Sequence, residues 1–168
     1  MVFIVSTFLI FGGSAVIMAL VKNSSSNKVQ ENFKIEDGNK IVYYKDGRGT
    51  EIDKRVEIWE PILELSEKLF AEADSTYKLF VTKQLITGVK ERKAIEIIYS
   101  EPKKLTTRNT KQVNVSRLLI PLSGEFAKNR ATIFYGTPNY DESNVVINST
   151  GRDLLKLIEE KISRTFLN

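Results

Sequence analysis

Three short segments rich in β-branched and aromatic residues lie between residues 94 and 135, and they constrain the fold more than any other part of the chain. Residues 94–99, 113–122 and 131–135 read Ala-Ile-Glu-Ile-Ile-Tyr, Val-Asn-Val-Ser-Arg-Leu-Leu-Ile-Pro-Leu and Ala-Thr-Ile-Phe-Tyr. Each is bounded by residues that favour turns, which is typical of strands in an antiparallel sheet. They therefore predict such a sheet as the centre of a small α+β domain.

The middle segment changes its alternation halfway along. Val113 and Val115 alternate with Asn114 and Ser116, but the phase changes at Arg117–Leu118, and from Leu118 onward apolar residues follow one another without interruption. Such a change of phase indicates either a β-bulge or a strand that becomes buried on both faces.

Two stretches outside these strands have helical periodicity. Apolar side chains recur at helical spacing between residues 53 and 73, and Pro61 is expected either in the first turn of that helix or at a kink. A second helix, which Thr150 is expected to cap, is predicted from a stripe formed by Leu154, Leu155, Ile158 and Ile162. The predicted domain is a single antiparallel sheet of about four to six strands flanked by two amphipathic helices.

Shorter elements are expected before the sheet segments. Asp-Gly steps at 37–38 and 46–47 bracket a strand over residues 40–45, which we interpret as half of a marginal hairpin. Residues 77–81 are compatible with a strand, and residues 82–90 with a short helix that the first residue, a threonine, caps. Five side chains are expected in the core: Trp59, Ile62, Ile97, Leu119 and Ile158.

Residues 2–21 form an uncharged, mostly apolar run. A helix of about 20 residues spans roughly 30 Å, the thickness of the hydrocarbon core of a bilayer. No basic residue precedes the run and no clear cleavage motif follows it, which favours a single-pass N-terminal membrane anchor over residues 1–22. The alternative is a signal helix whose cleavage releases a secreted domain. The polar, Ser-rich residues 23–32 are expected to link it to one globular domain over residues 33–168.

The chain contains neither cysteine nor histidine. Disulfides, Cys nucleophiles, His general bases, and zinc or haem sites that use these residues are therefore excluded. We predict no cofactor, no metal site and no particular catalytic residue.

Two Ser-x-x-Lys sequences within the predicted domain over residues 33–168 are the nearest approach to a catalytic motif. Residues 75–78 and 100–103 match a pattern of penicillin-binding proteins and class A β-lactamases, in which the lysine lies one helical turn from a nucleophilic serine. The Lys-Thr-Gly and Ser-Asp-Asn motifs that accompany it there do not follow. A small hydrolase or transferase using Ser, Tyr, Lys or carboxylate groups is the alternative function.

Charge is distributed unevenly along the chain. Residues 28–77 contain 8 Lys and Arg against 12 Asp and Glu, a net −4, whereas residues 78–130 contain 12 against 4, a net +8. Either these segments face each other in the fold, or the basic one forms a surface for an anionic partner. The surface predicted from the second explanation consists of Lys103, Lys104, Arg108 and Lys111.

The leading interpretation is a membrane-anchored, non-enzymatic interaction domain, such as an accessory subunit, an assembly factor or an immunity-type binding protein. Its expected partners are the membrane, through residues 2–21, and either an acidic protein or anionic lipid. A further alternative is a binder of lipid or nucleic-acid surfaces through the basic segment 90–117. Nucleic acid fits less well, because Tyr99, Phe134 and Tyr135 lie in apolar company rather than among the cations.

Overall fold

The computed structural model describes residues 38–140 and 144–166, which form one seven-stranded antiparallel sheet with helices on both faces. The predicted anchor over residues 1–22 and the linker over residues 23–32 lie outside the described residues. None of the helices within the described ranges is both long and apolar enough to cross a bilayer.

The sheet is fully antiparallel, and its strand order is β2-β1-β4-β5-β6-β7-β3. The strands are β1 (Lys40–Lys45), β2 (Arg48–Glu51), β3 (Ser75–Tyr77), β4 (Ala94–Thr106), β5 (Gln112–Pro121), β6 (Ala131–Gly136) and β7 (Asn144–Asn148). The helices are α1 (Trp59–Ala71), α2 (Lys83–Lys90) and α3 (Arg152–Phe166), with a single 3-10 turn at Glu125–Ala127.

The predicted α+β class is confirmed, but the predicted numbers of strands and helices are wrong. The described sheet has seven strands instead of the expected four to six, and the domain has a third, short helix, α2, in addition to the two long ones. The unexpected strands β2 and β3 read Arg-Gly-Thr-Glu and Ser-Thr-Tyr, and they lie at the two edges of the sheet with all their side chains exposed. Because edge strands contribute little to the core, they lack the apolar alternation that reveals a strand in a sequence. The sequence of residues 77–81 is compatible with a strand, but pairing ends at Tyr77 and residues 78–81 lie outside the sheet.

The hairpin of β1 and β2 forms where the Asp-Gly step predicted a turn. Asp46 and Gly47 have φ angles of 52° and 76°, and two consecutive positive values give the turn that matches the twist of paired strands. On its other side β1 pairs with β4, with Tyr43 opposite Ile95. This pairing supplies the support that an isolated hairpin lacks.

Helices α1 and α3 cover the first face of the sheet, and the main core lies between them and the strands. All five side chains expected in the core are buried, which confirms that prediction: Trp59, Ile62, Ile97, Leu119 and Ile158. Pro61 lies in the first turn of α1, one of the two positions expected for it.

A second, smaller core covers the other face of the sheet. Helix α2 packs there together with the residues that precede it, and the predicted N-cap is confirmed by a 3.1 Å hydrogen bond from the Leu85 N–H to Thr82 Oγ1. The buried members of this core are Val81, Ile86, Val89, Ala94, Leu119, Phe134, Tyr140 and Val145.

The change of phase in β5 reflects both causes that the sequence left open. The pairing of β4 with β5 is irregular between residues 98 and 103 of β4. In β5, the residues after Arg117 are buried on both sides, since Leu118 faces the first core and Leu119 faces the second.

Beyond the irregularity, the outer halves of β4 and β5 fold over α1. Leu105 belongs to the same core as this helix. Lys103 Nζ lies 2.6 Å from Glu67 Oε1 of α1, and the Arg108 N–H donates to the Ala73 carbonyl just beyond the helix, at 3.2 Å. Helix α1 therefore lies between the sheet and the outer end of the hairpin that β4 and β5 form.

Candidate functional site

Glu96 is the only acidic or basic side chain that is buried in the described part of the chain, with 1% of its surface exposed. It lies in β4 between Val42 of β1 and Leu119 of β5, and the alternation of the strand directs it to the second face. A buried carboxylate is stable only when cations and hydrogen bonds replace the water it has lost.

Four donors surround this carboxylate. Oε2 accepts hydrogen bonds from the Tyr44 hydroxyl at 2.7 Å and from Lys90 Nζ at 2.8 Å. Oε1 accepts from the Tyr140 hydroxyl at 2.9 Å and more weakly from Arg117 Nη1 at 3.4 Å. A carboxylate has about four lone-pair positions, so all of them are used. These five residues are named the Glu96 network.

Each donor comes from a different part of the fold. Tyr44 lies in β1, Lys90 ends α2, Arg117 lies in β5, and Tyr140 follows β6. Lys90 Nζ also lies 4.8 Å from the centre of the Tyr44 ring and 5.8 Å from that of Tyr140. Gly49 of β2 makes room for Tyr44, because a Cβ there would lie 2.9 Å from its ring.

The charges of the network determine the protonation of its members. Burial by itself would raise the pKa of Glu96, but the charge of Lys90 and the hydrogen bonds from Lys90, Tyr44 and Tyr140 outweigh it, and the pKa lies below its ordinary value. Burial and the neighbouring carboxylate both raise the pKa of Tyr140 well above its ordinary value. An ionised Glu96 therefore accepts a hydrogen bond from a neutral Tyr140, and the network ties α2 and the residues after β6 to the sheet.

The outer side of the Glu96 network is cationic. The side chains of Lys90 and Arg117 are 24% and 27% exposed, whereas the carboxylate between them is shielded. Because every lone pair of Glu96 is engaged, it has no free position from which to accept a proton from a substrate. The arrangement is suited to holding structure together rather than to general-base chemistry.

The four residues of the predicted binding surface do not share one environment. Lys103 points towards α1, where Glu67 Oε1 also accepts a hydrogen bond from the Tyr99 hydroxyl at 3.0 Å. Lys104 is the next residue of β4 and therefore points to the opposite side of the hairpin. For Lys103, the acidic and basic segments do face each other within the fold.

The other three cations, Lys104, Arg108 and Lys111, are exposed and form no ion pair with any described residue. Leu105 and Val113 face the core, so Lys104, Thr106, Gln112 and Asn114, which alternate with them in the two strands, point away from α1. These four side chains, together with the exposed Arg108 and Lys111 of the loop between the strands, are named the basic hairpin face. Apart from its cations, its side chains are polar and neutral.

The two Ser-x-x-Lys sequences lie in or beside strands. Ser75 opens β3 and Ser100 lies in β4, so neither serine has its lysine one helical turn away. The Ser75 hydroxyl donates to Asp74 Oδ1 at 3.2 Å, and the Ser100 hydroxyl donates to Asn39 Oδ1 at 3.4 Å. No group of three acidic side chains in the described ranges is arranged to hold a metal ion.

A groove of about 670 Å³ lies between α2 and the 3-10 turn. Leu85, Val89 and Phe126 contribute apolar walls, whereas Glu125 and Arg92 line it with opposite charges. Its volume suits a small ligand, but the mixed charges favour no particular class of ligand.

Sequence reasoning missed the Glu96 network. The available signal was a single Glu between isoleucines in the best-predicted strand, because a charge at such a position requires partners. Those partners lie as far as 52 residues away in the chain, and no sequence pattern connects them.

Comparison with protein-family models, with curated proteins and with solved structures gave no significant match.

Proposed function

We propose that the protein is a membrane-anchored interaction domain, and that the basic hairpin face binds anionic lipid headgroups. The observation that carries this proposal is the contrast between neighbouring cations. Lys103 is neutralised by Glu67, whereas Lys104, Arg108 and Lys111 are exposed without an ion pair among the described residues. Exposed cations of this kind attract the negative surface of a membrane.

The position of the hairpin supports this proposal. Lys40, the first residue of β1, pairs with Ile98, the last residue of β4 before the irregularity. Asn39 Oδ1 accepts a hydrogen bond from the Ser100 N–H at 3.2 Å. The chain that comes from the predicted anchor thus enters the sheet beside the residues of β4 at which the hairpin of β4 and β5 extends beyond the sheet. Residues 22–37 span at most about 55 Å, which keeps the domain close to the bilayer.

The expected strength of the contact fits a tethered domain. Each basic residue near an anionic leaflet contributes about 1 kcal/mol, so three contribute about 3 kcal/mol. This is weak for a free protein but sufficient when an anchor keeps the domain at high local concentration.

Lipid suits the face better than nucleic acid does. Between the cations lie Thr106, Gln112 and Asn114, and none of these offers a ring on which a base can stack. An acidic protein is the remaining alternative, and the test below separates it from lipid.

The test uses residues 33–168, which contain the whole described core, and sedimentation with phosphatidylcholine vesicles that contain or lack phosphatidylserine. We expect binding only to the anionic vesicles, and it should weaken as salt exceeds about 0.15 M, where screening acts within about 8 Å. The variant K104E/R108E/K111E should lose binding but keep its thermal unfolding profile, because exposed charges contribute little to stability.

A matched control has the same change in net charge elsewhere. The variant K45E/K128E/R152E replaces exposed cations away from the hairpin and should retain most of the binding. Equal losses in both variants would show that net charge alone attracts the domain. A wild-type domain that ignores anionic vesicles would overturn the lipid proposal and leave an acidic protein as the partner to seek.

A further inference from the structure

Phe80 is the most exposed of the large apolar side chains that the structure describes, with 87% of its surface accessible. It is not part of a loose loop, because both of its neighbours are fixed. Val81 is buried in the second core and Leu79 packs against that core. With its neighbours held inward, the backbone directs Phe80 into solvent.

Phe80 lies near one particular end of the sheet, named the leading end because β1 begins there. Lys40 at the start of β1 is in one row with Ile98, Arg117 and Gly136, the last residue of β6. The final residue of β3, Tyr77, pairs with the second residue of β7. Strand β3 therefore ends at the leading end, and Phe80 follows three residues later. Five strand spacings, about 24 Å in total, separate β1 from β3.

Cations accompany the exposed ring. Lys78 and Lys83 are exposed and form no ion pair with any residue in the described ranges. Arg130 lies over the neighbouring Tyr77 ring, at 5.2 Å from its centre. An aromatic side chain flanked by lysines is the chemistry of contacts at the membrane interface, where the ring reaches the acyl boundary and the amines meet phosphates.

We infer that Phe80 inserts into the interfacial layer of a phospholipid bilayer, with Lys78 and Lys83 against the headgroups. The leading end of the sheet, where the chain arrives from the predicted anchor, then faces the membrane. This inference rests on the proposed membrane attachment, because one aromatic ring holds a protein at a bilayer only when a tether supplies the local concentration. It adds an apolar contact to the electrostatic contact of the basic hairpin face.

The absence of cysteine from the chain makes a direct test simple. The full chain carrying Phe80→Cys is labelled with an environment-sensitive fluorophore and reconstituted into vesicles of phosphatidylcholine and phosphatidylserine. The matched control is Arg48→Cys, an exposed position beside the turn at the opposite end of the sheet. We expect blue-shifted emission and strong quenching by lipids with a nitroxide at shallow depth for the label at position 80, and water-like emission for the label at position 48.

Two different results distinguish failure of the Phe80 inference from failure of the membrane attachment. A carbonate wash of the same vesicles reports attachment, and loss of the chain into the supernatant would overturn both proposals. Retention of the chain with water-like emission at position 80 would overturn the insertion of Phe80 alone. Equal quenching at positions 80 and 48 would overturn it too, since no particular end of the sheet would then face the bilayer.

Discussion

Replacing Glu96 by Gln should destabilise the domain far more than the same change at any other acidic residue that the structure describes. Glutamine has nearly the same shape but presents one NH₂ group, which must meet the donors on one side of the network. Either Tyr44 and Lys90 or Tyr140 and Arg117 would then face another donor. Both cations would also lose their counter-charge.

The magnitude follows from the burial of the network. Breaking a buried ion pair by removing one partner costs about 3–5 kcal/mol. Since Lys90 and Arg117 are 24% and 27% exposed and water can partly solvate them, we expect about 3 kcal/mol for Glu96→Gln. The matched control is Glu72→Gln, which removes an exposed pair with Lys68 and should cost less than about 1 kcal/mol.

Urea unfolding of residues 33–168 measures both changes. Trp59 is the only tryptophan in the chain and is buried, so its fluorescence reports loss of the core. A Glu96→Gln midpoint close to that of Glu72→Gln would refute the view that the network fastens α2 and the residues after β6 to the sheet.

Three further predictions use the same unfolding assay. Folding lowers the pKa of Glu96, so the stabilisation from its charge should be complete above the ordinary carboxyl pKa of about 4.3 and should decline as pH falls through the lower folded value. The difference in unfolding free energy between wild type and Glu96→Gln should therefore stay constant above about pH 5.5 and narrow below about pH 4. A difference that widens in acid would contradict this. Ile158→Ala and Leu119→Ala, each at a fully buried position, should each lower the unfolding free energy by about 2–5 kcal/mol. A loss below about 1 kcal/mol would argue against the place of that residue in the core. Thr82→Ala should cost about 1 kcal/mol through loss of the cap on α2, and an unchanged midpoint would show that the cap contributes nothing.

Elements that pack against the core were predictable from the sequence. Helices α1 and α3 have an apolar stripe at helical spacing, whereas β4, β5 and β6 are short runs rich in β-branched and aromatic residues between turn residues. The hairpin turn at Asp46-Gly47 was predictable for another reason, since few residues other than Gly, Asn and Asp tolerate positive φ. The edge strands β2 and β3 are short and exposed, so the hairpin turn is the one signal for β2, and only the folded sheet reveals β3.

The polar sites were much less predictable, because they depend on contacts between distant segments. Lys103 and Lys104 are adjacent in the sequence, yet the alternation of β4 sends one to Glu67 and the other to solvent. The position of residue 103 in a strand is enough to predict that Lys103 and Lys104 point to opposite sides. That Glu67 is the partner of Lys103 follows only from the way the hairpin of β4 and β5 folds over α1. The membrane attachment through residues 2–21 remains a prediction.

The most direct test of the proposed lipid contact is the affinity of residues 33–168 for phosphatidylserine-containing vesicles before and after K104Q/R108Q/K111Q. At about 1 kcal/mol for each cation, neutralising the three should lower the affinity about 100-fold, whereas K45Q/K128Q/R152Q should change it by less than about threefold. Comparable losses in the two variants, or an affinity that the hairpin variant leaves unchanged, would contradict a lipid-binding role for the basic hairpin face.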